Sequence, residues 1–238
     1  MGQGDEYLLT LNRELAKAAS ITYLRPLAEM NNGHNAYSAT TSYGSSRGGG
    51  NSQLWYKRAW RRMVLIVKGA ASVADTNARL AVLGLPPIQK TTKAALPANL
   101  AAPRVAFIWC PLVYGSPRIK SQAAKKYWPG SAWVDWVATD TYSKYPAWSS
   151  MNRFYKTFKG KPFAIGEWGV WDADSPAFVK RLFRWQRSRK RVRMMIYHMS
   201  FAGRLGPMSL WRWPRSAAAT RFQIRGPAFP AYAPDLTP

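Results

Sequence analysis

Two kinds of hydrophobic pattern alternate along the chain. Apolar residues recur at helical spacing in residues 5–18, 55–69, 73–83, 149–158, 176–187 and 214–224. Short, nearly continuous apolar runs of strand length lie at residues 21–28, 104–111, 133–140, 162–168 and 192–199. Because these runs alternate with the helical segments, they predict crossover connections and a parallel sheet. We therefore expect an α/β fold.

The polar segments between these elements carry turn and cap signals. Ser72 precedes a helical segment as a predicted N-cap, and Ser175 before a proline predicts a second helix start. Residues 38–54 are rich in Ser, Gly and Asn, which predicts a flexible loop inside a domain. No composition shift marks a boundary between domains, so we expect one domain over residues 1–238.

The charge of the chain is strongly positive. Its 238 residues include 35 lysines and arginines against 11 aspartates and glutamates, a net charge of +24. The basic residues are spread along the chain and are densest over Arg181–Arg193. Charge of this kind favours non-specific association with anionic polymers, so we expect no specific nucleic acid partner. A basic binder of nucleic acid or another anionic polymer stays open as an alternative function.

Several classes of protein do not fit the sequence. The longest apolar runs, such as residues 105–108 and 194–197, are too short to cross a bilayer, so no membrane partner is expected. The single cysteine, Cys110, excludes internal disulfides. His34 and His198 have no partner at ligand spacing, so neither a metal nor another cofactor is predicted.

The four glutamates divide into two pairs. Glu6 and Glu14 lie in the first helical segment and look like surface charges. Glu29 and Glu167 each stand at the end of an apolar strand-like run. In parallel α/β folds the chemistry gathers at the carboxyl ends of the strands, so these two should share one rim. Other residues at predicted strand ends are Trp109, Asp140, Tyr142, Trp168 and His198.

Two carboxyl groups on one rim can divide the roles of acid and nucleophile or base. A retaining glycosidase holds them about 5–5.5 Å apart and an inverting one about 6.5–9.5 Å apart, and the sequence leaves that choice open. Tryptophans near the acids suit the C–H faces of sugar rings; the candidates are Trp109, Trp128, Trp133, Trp136, Trp168 and Trp171. Each glutamate taken alone could instead be a structural carboxylate paired with an arginine.

Four segments, in order, resemble the motifs of glycoside hydrolase family 26, the β-mannanase-like family of (β/α)8 barrels. Tyr23–Asn31 (YLRPLAEMN) resembles the family's acid/base strand, and Phe107–Pro111 (FIWCP) its next strand. Tyr127–Gly130 with Val134–Tyr142 (YWPG…VDWVATDTY) is similar to a third family stretch. Lys161–Gly169 (KPFAIGEWG) resembles the strand that carries the nucleophile.

The resemblance implies a fold and a set of roles. Glu29 would be the acid/base and Glu167 the nucleophile of a retaining O-glycosyl hydrolase, acting on a β-linked, mannan-like polysaccharide by double displacement. Tyr142 would hydrogen-bond the nucleophile. The remaining implied substrate-site residues are Arg25 and Asn31 beside the acid/base, Asp140 on the rim, and Trp109 and Trp168 as walls of the sugar site.

The same resemblance implies a barrel that is incomplete in this chain. Glu29 belongs to the family's fourth strand, so the expected fold is a (β/α)8 TIM-barrel type with about five βα units and its N-terminal strands missing. A non-catalytic carbohydrate-binding remnant of such an enzyme is the alternative function. A polysaccharide substrate implies an extracellular, secreted protein, and the Arg- and Ala-rich composition is compatible with a bacterial source.

Overall fold

The chain forms two compact units. The structure is a computed structural model that describes residues 2–90, 95–199, 206–225 and 229. Unit 1 comprises Met1–Trp109 and Gly115–Asp135, and unit 2 comprises Cys110–Tyr114 and Trp136–Pro238. The prediction of a single domain stays a prediction, and the two units are described separately below.

The described residues of unit 1 include three α-helices, each where the hydrophobic period predicts one. They are α1 (Asp5–Leu15), α2 (Gln53–Lys68) and α3 (Val73–Val82). The predicted cap of α3 is confirmed, because the Ser72 hydroxyl accepts a hydrogen bond from the Asp75 amide at 2.9 Å.

The two strands of unit 1 are parallel. β1 (Thr22–Leu24) pairs with β2 (Val105–Trp109), with Thr22 opposite Val105. The predicted strand at residues 21–28 is therefore wrong in its second half. Leu27 and Glu29 have φ angles of 48° and 52°, in the left-handed region, where an extended strand cannot continue.

The core of unit 1 packs α1, α2 and α3 together. Its buried residues are Leu65, Ile66, Val73, Leu80, Leu85, Ile88 and Leu100. A buried ion pair fastens α1 to α2, with Arg62 Nε donating to Asp5 Oδ1 at 2.7 Å. The remaining Arg62 donors reach the carbonyls of Pro86 and Pro87 at 2.7 and 2.9 Å, so the buried charge is satisfied on several sides.

The described residues of unit 2 include three strands and three α-helices. The strands are β3 (Trp136–Tyr142), β4 (Phe163–Gly169) and β5 (Val192–Tyr197), and the α-helices are α4 (Trp148–Thr157), α5 (Pro176–Arg187) and α6 (Pro214–Ile224). β4 pairs in parallel with both β3 and β5. Together with unit 1, the described residues contain the five predicted strands. An α-helix lies between consecutive strands except between β2 and β3, where the described helices are short 3-10 turns.

The helices of unit 2 follow from stripes of apolar residues. Phe178, Val179 and Leu182 of α5 are buried, whereas the charged positions between them face solvent. The prediction that a helix starts at Ser175 is confirmed, because Ser175 is the N-cap residue of α5 and Pro176 is its first residue, although the Ser175 side chain makes no capping hydrogen bond. The backbone amide of Ser175 donates to Ser216 Oγ at 2.8 Å, which ties the start of α5 to the start of α6.

An aspartate caps α6. The Asp174 carboxylate accepts from the backbone amides of Arg215 and Ser216 at 3.0 and 2.8 Å, where a helix N-terminus leaves donors unpaired. Burial acts to raise the pKa of Asp174, but these bonds and the Ser216 hydroxyl favour the ionised form and lower the pKa overall. Among the described helices, none has the length and apolar character needed to span a membrane.

Candidate active site

Glu167 lies in β4 at the carboxyl-terminal end of the strand. A register shift in β3 between Thr139 and Asp140 places Asp140 opposite Glu167 in the β3–β4 pair. The Glu167 side chain is 21% exposed, so solvent still reaches it. Tyr142, two residues farther along β3, donates its hydroxyl to Glu167 Oε2. The hydrogen bond that the family resemblance implies for Tyr142 is therefore present.

His198 stands beside the same carboxylate. It directly follows β5, and its backbone amide donates to the Trp168 carbonyl at 2.9 Å. Its Nδ1 atom lies 3.5 Å from Glu167 Oε2, and its ring meets the Tyr142 ring edge-on at 6.3 Å. A phenol and an imidazole thus converge on one carboxylate oxygen and fix the orientation of Glu167. The sequence placed His198 on the rim but assigned it no role.

Half-exposed aromatic rings continue from Tyr142 toward solvent. Trp171 meets Tyr142 edge-on at 5.4 Å, and Tyr145 meets Trp171 at 5.7 Å. Lys144 lies 5.2 Å from the Trp171 ring centroid and pairs with Asp172 at 2.6 Å. Rings of this kind can stack on sugar faces. Trp171 was one of the candidate tryptophans, whereas no sequence pattern singled out Tyr145, which is 58% exposed.

Trp168 is part of the core of unit 2. Successive strand residues point to opposite faces, so Trp168 points away from Glu167. Its ring is 3% exposed and packs edge-on against Phe183 of α5 at 5.5 Å and Tyr197 of β5 at 4.7 Å. Its predicted role as a wall of the sugar site stays a prediction.

Asp140 is buried opposite Glu167. It is 6% exposed, and the buried Cys110 thiol donates to its Oδ1 atom at 3.2 Å. Asp140 is therefore brought next to Glu167 by strand pairing, but the thiol contact places its carboxylate within the interior of unit 2. Its predicted role as a substrate-binding residue stays a prediction.

In unit 1, Glu29 lies in a tight loop that follows β1. Its carboxylate Oε2 accepts from Asn32 Nδ2 at 2.8 Å. Asn35 Nδ2 donates to the Glu29 carbonyl at 3.0 Å, and Tyr37 donates its hydroxyl to the Ala28 carbonyl at 2.6 Å. These contacts hold Glu29 in a left-handed conformation that costs energy for a residue other than glycine, as strained active-site residues do. Sequence reasoning missed Asn32 and Asn35.

A buried polar network holds the two ends of this loop. Asn31 donates to the Gln122 carbonyl at 3.0 Å, and Gln122 Nε2 donates to Ser38 Oγ at 2.8 Å and Thr40 Oγ1 at 2.6 Å. Tyr127 donates its hydroxyl to Gln122 Oε1. Burial raises the pKa of Tyr127, so its phenol keeps the proton that it donates. Asn31 therefore supports the Glu29 loop through Gln122.

Two further predicted residues of unit 1 lie at strand ends. Arg25 directly follows β1 and is half-buried. Trp109 ends β2, is fully buried, and packs edge-on against Trp128 at 4.8 Å. Their predicted contacts with substrate stay predictions. The expected separation of Glu29 and Glu167 is a relation between the units and also stays a prediction.

The geometry of unit 2 sets what Glu167 can do. Its carboxylate is partly accessible and is oriented by the Tyr142 hydroxyl, as a nucleophile or a general base requires. Within the part of the chain that the structure describes, no three His, Cys, Asp or Glu side chains cluster where a metal ion could bind.

Solved structures with a similar backbone are proteins of glycoside hydrolase family 26 and related proteins. GH26C from Muricauda sp. MAR_2010_75 matches with a TM-score of 0.53 and 15% identity, over 95% of this chain and 57% of that one. A double mutant of the endo-β-1,4-mannanase from Cellulomonas fimi matches with a TM-score of 0.51 and 17% identity, over 98% and 52%. The YdhT protein from Bacillus subtilis matches with a TM-score of 0.51 and 15% identity, over 90% and 51%.

These comparisons confirm the predicted fold. It is α/β, of the (β/α)8-barrel type, and incomplete, since this chain spans about half the length of the solved structures that it matches. The likeness to family 26 that the motifs indicated is therefore present in the backbone. No family model matches the chain, and no curated protein matches it.

Proposed function

We propose that this protein is a retaining O-glycosyl hydrolase that acts on a β-linked, mannan-like polysaccharide, with Glu167 as nucleophile and Glu29 as acid/base. The observation that carries the proposal is the hydrogen bond from Tyr142 to Glu167 at the end of β4. The backbone likeness to an endo-β-1,4-mannanase supports the substrate class. Such a substrate lies outside the cell, so we also propose that the protein is extracellular.

The reaction proceeds in two displacements. A Glu167 oxygen attacks the anomeric carbon while Glu29 donates its proton to the departing glycosidic oxygen, which leaves a glycosyl ester on Glu167. Glu29 then removes a proton from water, the water oxygen attacks the same carbon, and the ester bond breaks. Tyr142 orients the attacking carboxylate, and Asn32 orients the acid through Glu29 Oε2.

The first test replaces the nucleophile. Glu167→Gln keeps the shape of the side chain but removes the negative charge, so the turnover of β-mannan should fall by at least about 10⁴-fold. The exposed Glu14 pairs with Lys17, and Glu14→Gln serves as the matched control with unchanged turnover. Reducing ends released from β-mannan measure the rate. Full activity in Glu167→Gln would refute the assignment.

A second test separates the two roles. In Glu167→Ala, added azide should attack the substrate directly and give a glycosyl azide of inverted configuration. In Glu29→Ala, azide should intercept the glycosyl ester and give a product of retained configuration. Nuclear magnetic resonance of an aryl β-mannoside reaction identifies both products. The opposite pair of configurations would exchange the two assignments.

A non-catalytic carbohydrate-binding protein is the second candidate. The half-exposed Trp171 and Tyr145 rings favour it, because they can hold a sugar without any reaction. Calorimetry with manno-oligosaccharides decides between the candidates. Binding that Trp171→Ala abolishes, with no hydrolysis by the unmodified protein, would establish this candidate in place of the enzyme.

A further inference from the structure

His198 contacts the Glu167 carboxylate beside Tyr142. Its Nδ1 atom lies 3.5 Å from Glu167 Oε2, the same oxygen that accepts from the Tyr142 hydroxyl. The His198 side chain is 29% exposed and that of Glu167 is 21% exposed. Water therefore reaches the imidazole, which can exchange its proton with solvent while it stays in contact with the carboxylate.

The backbone that presents this imidazole is held on both sides. The His198 amide donates to the Trp168 carbonyl at 2.9 Å. The preceding residue, Tyr197, donates its hydroxyl to the Met208 carbonyl at 2.7 Å. Burial raises the pKa of Tyr197, so its phenol keeps the proton that it donates. The position of His198 next to Glu167 is therefore fixed by contacts of the strand end and does not depend on the imidazole alone.

The titratable side chains around this contact come from β3, β4 and β5. They are Tyr142 and Asp140 from β3, Glu167 from β4 and Tyr197 from β5. The two acidic groups among them stand at paired strand positions, where like charges repel each other. A protonated His198 offsets this repulsion and stabilises Glu167 as a carboxylate.

Such a cation affects the two proposed displacements in opposite ways. In the first displacement the carboxylate attacks and loses its charge, so a neighbouring cation makes it a weaker nucleophile. In the second displacement the bond between the anomeric carbon and the Glu167 oxygen breaks, and the electron pair stays on that oxygen. A neighbouring cation stabilises this developing charge. A protonated imidazole therefore favours the second step over the first.

We propose that His198, in its protonated form, is a positioning residue that assists the departure of Glu167 from the glycosyl ester. Water supplies the attacking oxygen, Glu29 takes the proton of that water, and His198 keeps its own proton throughout. Histidine ordinarily changes charge between pH 5 and 8, so the assistance should be present in mildly acidic solution and lost in mildly alkaline solution. The inference rests on the proposed function, because only a retaining glycosidase forms the glycosyl ester.

The test follows both displacements in one experiment. In 2,4-dinitrophenyl β-mannobioside the leaving group departs easily, so the first displacement gives a burst of dinitrophenol and the second sets the steady rate. His198→Asn keeps an N–H donor but carries no charge. At about pH 5.5 its burst rate should be within about twofold of that of the unmodified protein, and its steady rate should be about tenfold lower. Equal slowing of both phases would show a merely structural role and would overturn the proposal.

The pH dependence separates the charge of His198 from its hydrogen bonding. The steady rate of the unmodified protein divided by that of His198→Asn should be about 10 near pH 5.5 and below about 2 near pH 8.5, where the imidazole is neutral. This ratio removes the titration of Glu29, which both proteins share. A constant ratio would contradict the role of the imidazolium. His34→Asn, at the other histidine of the chain, changes an exposed side chain and is the matched control with both rates unchanged.

A spectroscopic measurement separates a failure of this inference from a failure of the proposed function. The chain has two histidines, so His34→Asn assigns the nuclear magnetic resonance signals of their ring nitrogens. Glu167→Gln should shift the His198 signals and leave those of His34 in place. Unmoved His198 signals would refute the contact itself, whatever the activity. Shifted signals without any release of dinitrophenol would refute the proposed hydrolysis, and with it the role of His198 in the second displacement, but not the contact.

Discussion

The two glutamates assigned to catalysis are held in different ways. Glu167 lies in a parallel strand at a register shift, and its position follows from strand pairing and from the Tyr142 and His198 side chains at its carboxylate. Glu29 lies in a loop with a left-handed backbone, and side chains from the same loop bind its carboxylate and its carbonyl. In a strand, the backbone hydrogen bonds of the sheet already position the side chain. In a loop, additional side-chain contacts are needed to position it.

The residues that support the two glutamates also differ in kind. Gln122 of unit 1 is buried among polar partners, each of which needs it as donor or acceptor. The strand that carries Glu167 is held by apolar packing, since its residues Phe163 and Ile165 are fully buried. The position of Glu29 should therefore depend on a few polar residues, and that of Glu167 on the packing of a whole strand.

The largest effect should come from the polar network of unit 1. Gln122→Ala leaves Ser38, Thr40 and Tyr127 without their buried partner, so the free energy of unfolding should fall by about 2–4 kcal/mol. Urea unfolding measures the loss, and hydrogen exchange should show faster opening of residues 29–40. Gln223→Ala, which removes an exposed hydrogen bond from Arg187, is the control and should cost less than about 0.5 kcal/mol.

The second effect concerns the contact that orients Glu167. Tyr142→Phe removes one charge-assisted hydrogen bond, worth about 1.5–3 kcal/mol, so turnover of β-mannan should fall about 10- to 100-fold while the Michaelis constant changes little. Tyr145→Phe keeps an exposed ring and should change turnover less than about twofold. If both variants behave alike, the Tyr142 hydroxyl does not orient the nucleophile.

The same substitution at both glutamates compares the two backbones directly. Glycine accepts the φ of 52° at position 29 without strain, so Glu29→Gly should change the free energy of unfolding by less than about 0.5 kcal/mol. In a strand, Glu167→Gly loses packing and chain order and should cost about 1–2 kcal/mol. Thermal unfolding of both variants measures the difference, and equal losses would contradict the stated role of backbone strain.

The smallest effect concerns acid stability in unit 2. Because the pKa of Asp174 is lowered in the folded protein, its stabilisation is complete above its ordinary value of 3.8 and is lost as the pH falls through the lowered value. After screening by solvent the effect should be less than about 1 kcal/mol. Urea unfolding between pH 2 and 6 should show that the free energy of unfolding of Asp174→Asn decreases less steeply as the pH falls. Asp172→Asn removes an exposed charge outside any helix cap, so the free energy of unfolding of this variant should depend on pH as it does in the unmodified protein.

Much of the fold could be read from the chain, because hydrophobic period reports local geometry. The period of 3.6 located the helices, and the apolar runs located five strands. The strand predicted at residues 21–28 ended early, because the backbone turns at Leu27 and Glu29. Asn35 and Tyr37 hold the Glu29 and Ala28 carbonyls of that turn, and hydropathy does not report such contacts. The helix start predicted at Ser175 is present, but the hydrogen bond from its amide to Ser216 joins residues 41 positions apart, and no local pattern indicated it.

The pattern of the sequence by itself predicted a parallel α/β fold with Glu167 at a strand end, and the resemblance to family 26 implied the barrel type and the bond from Tyr142 to Glu167. Strand ends in such folds share one side, so chain order alone indicates which residues gather there. Only the tertiary structure decided that Trp168 packs into the core, that His198 reaches Glu167, and that Gln122 holds the Glu29 loop. These relations join residues far apart in the chain, and their directions depend on packing that no local pattern encodes.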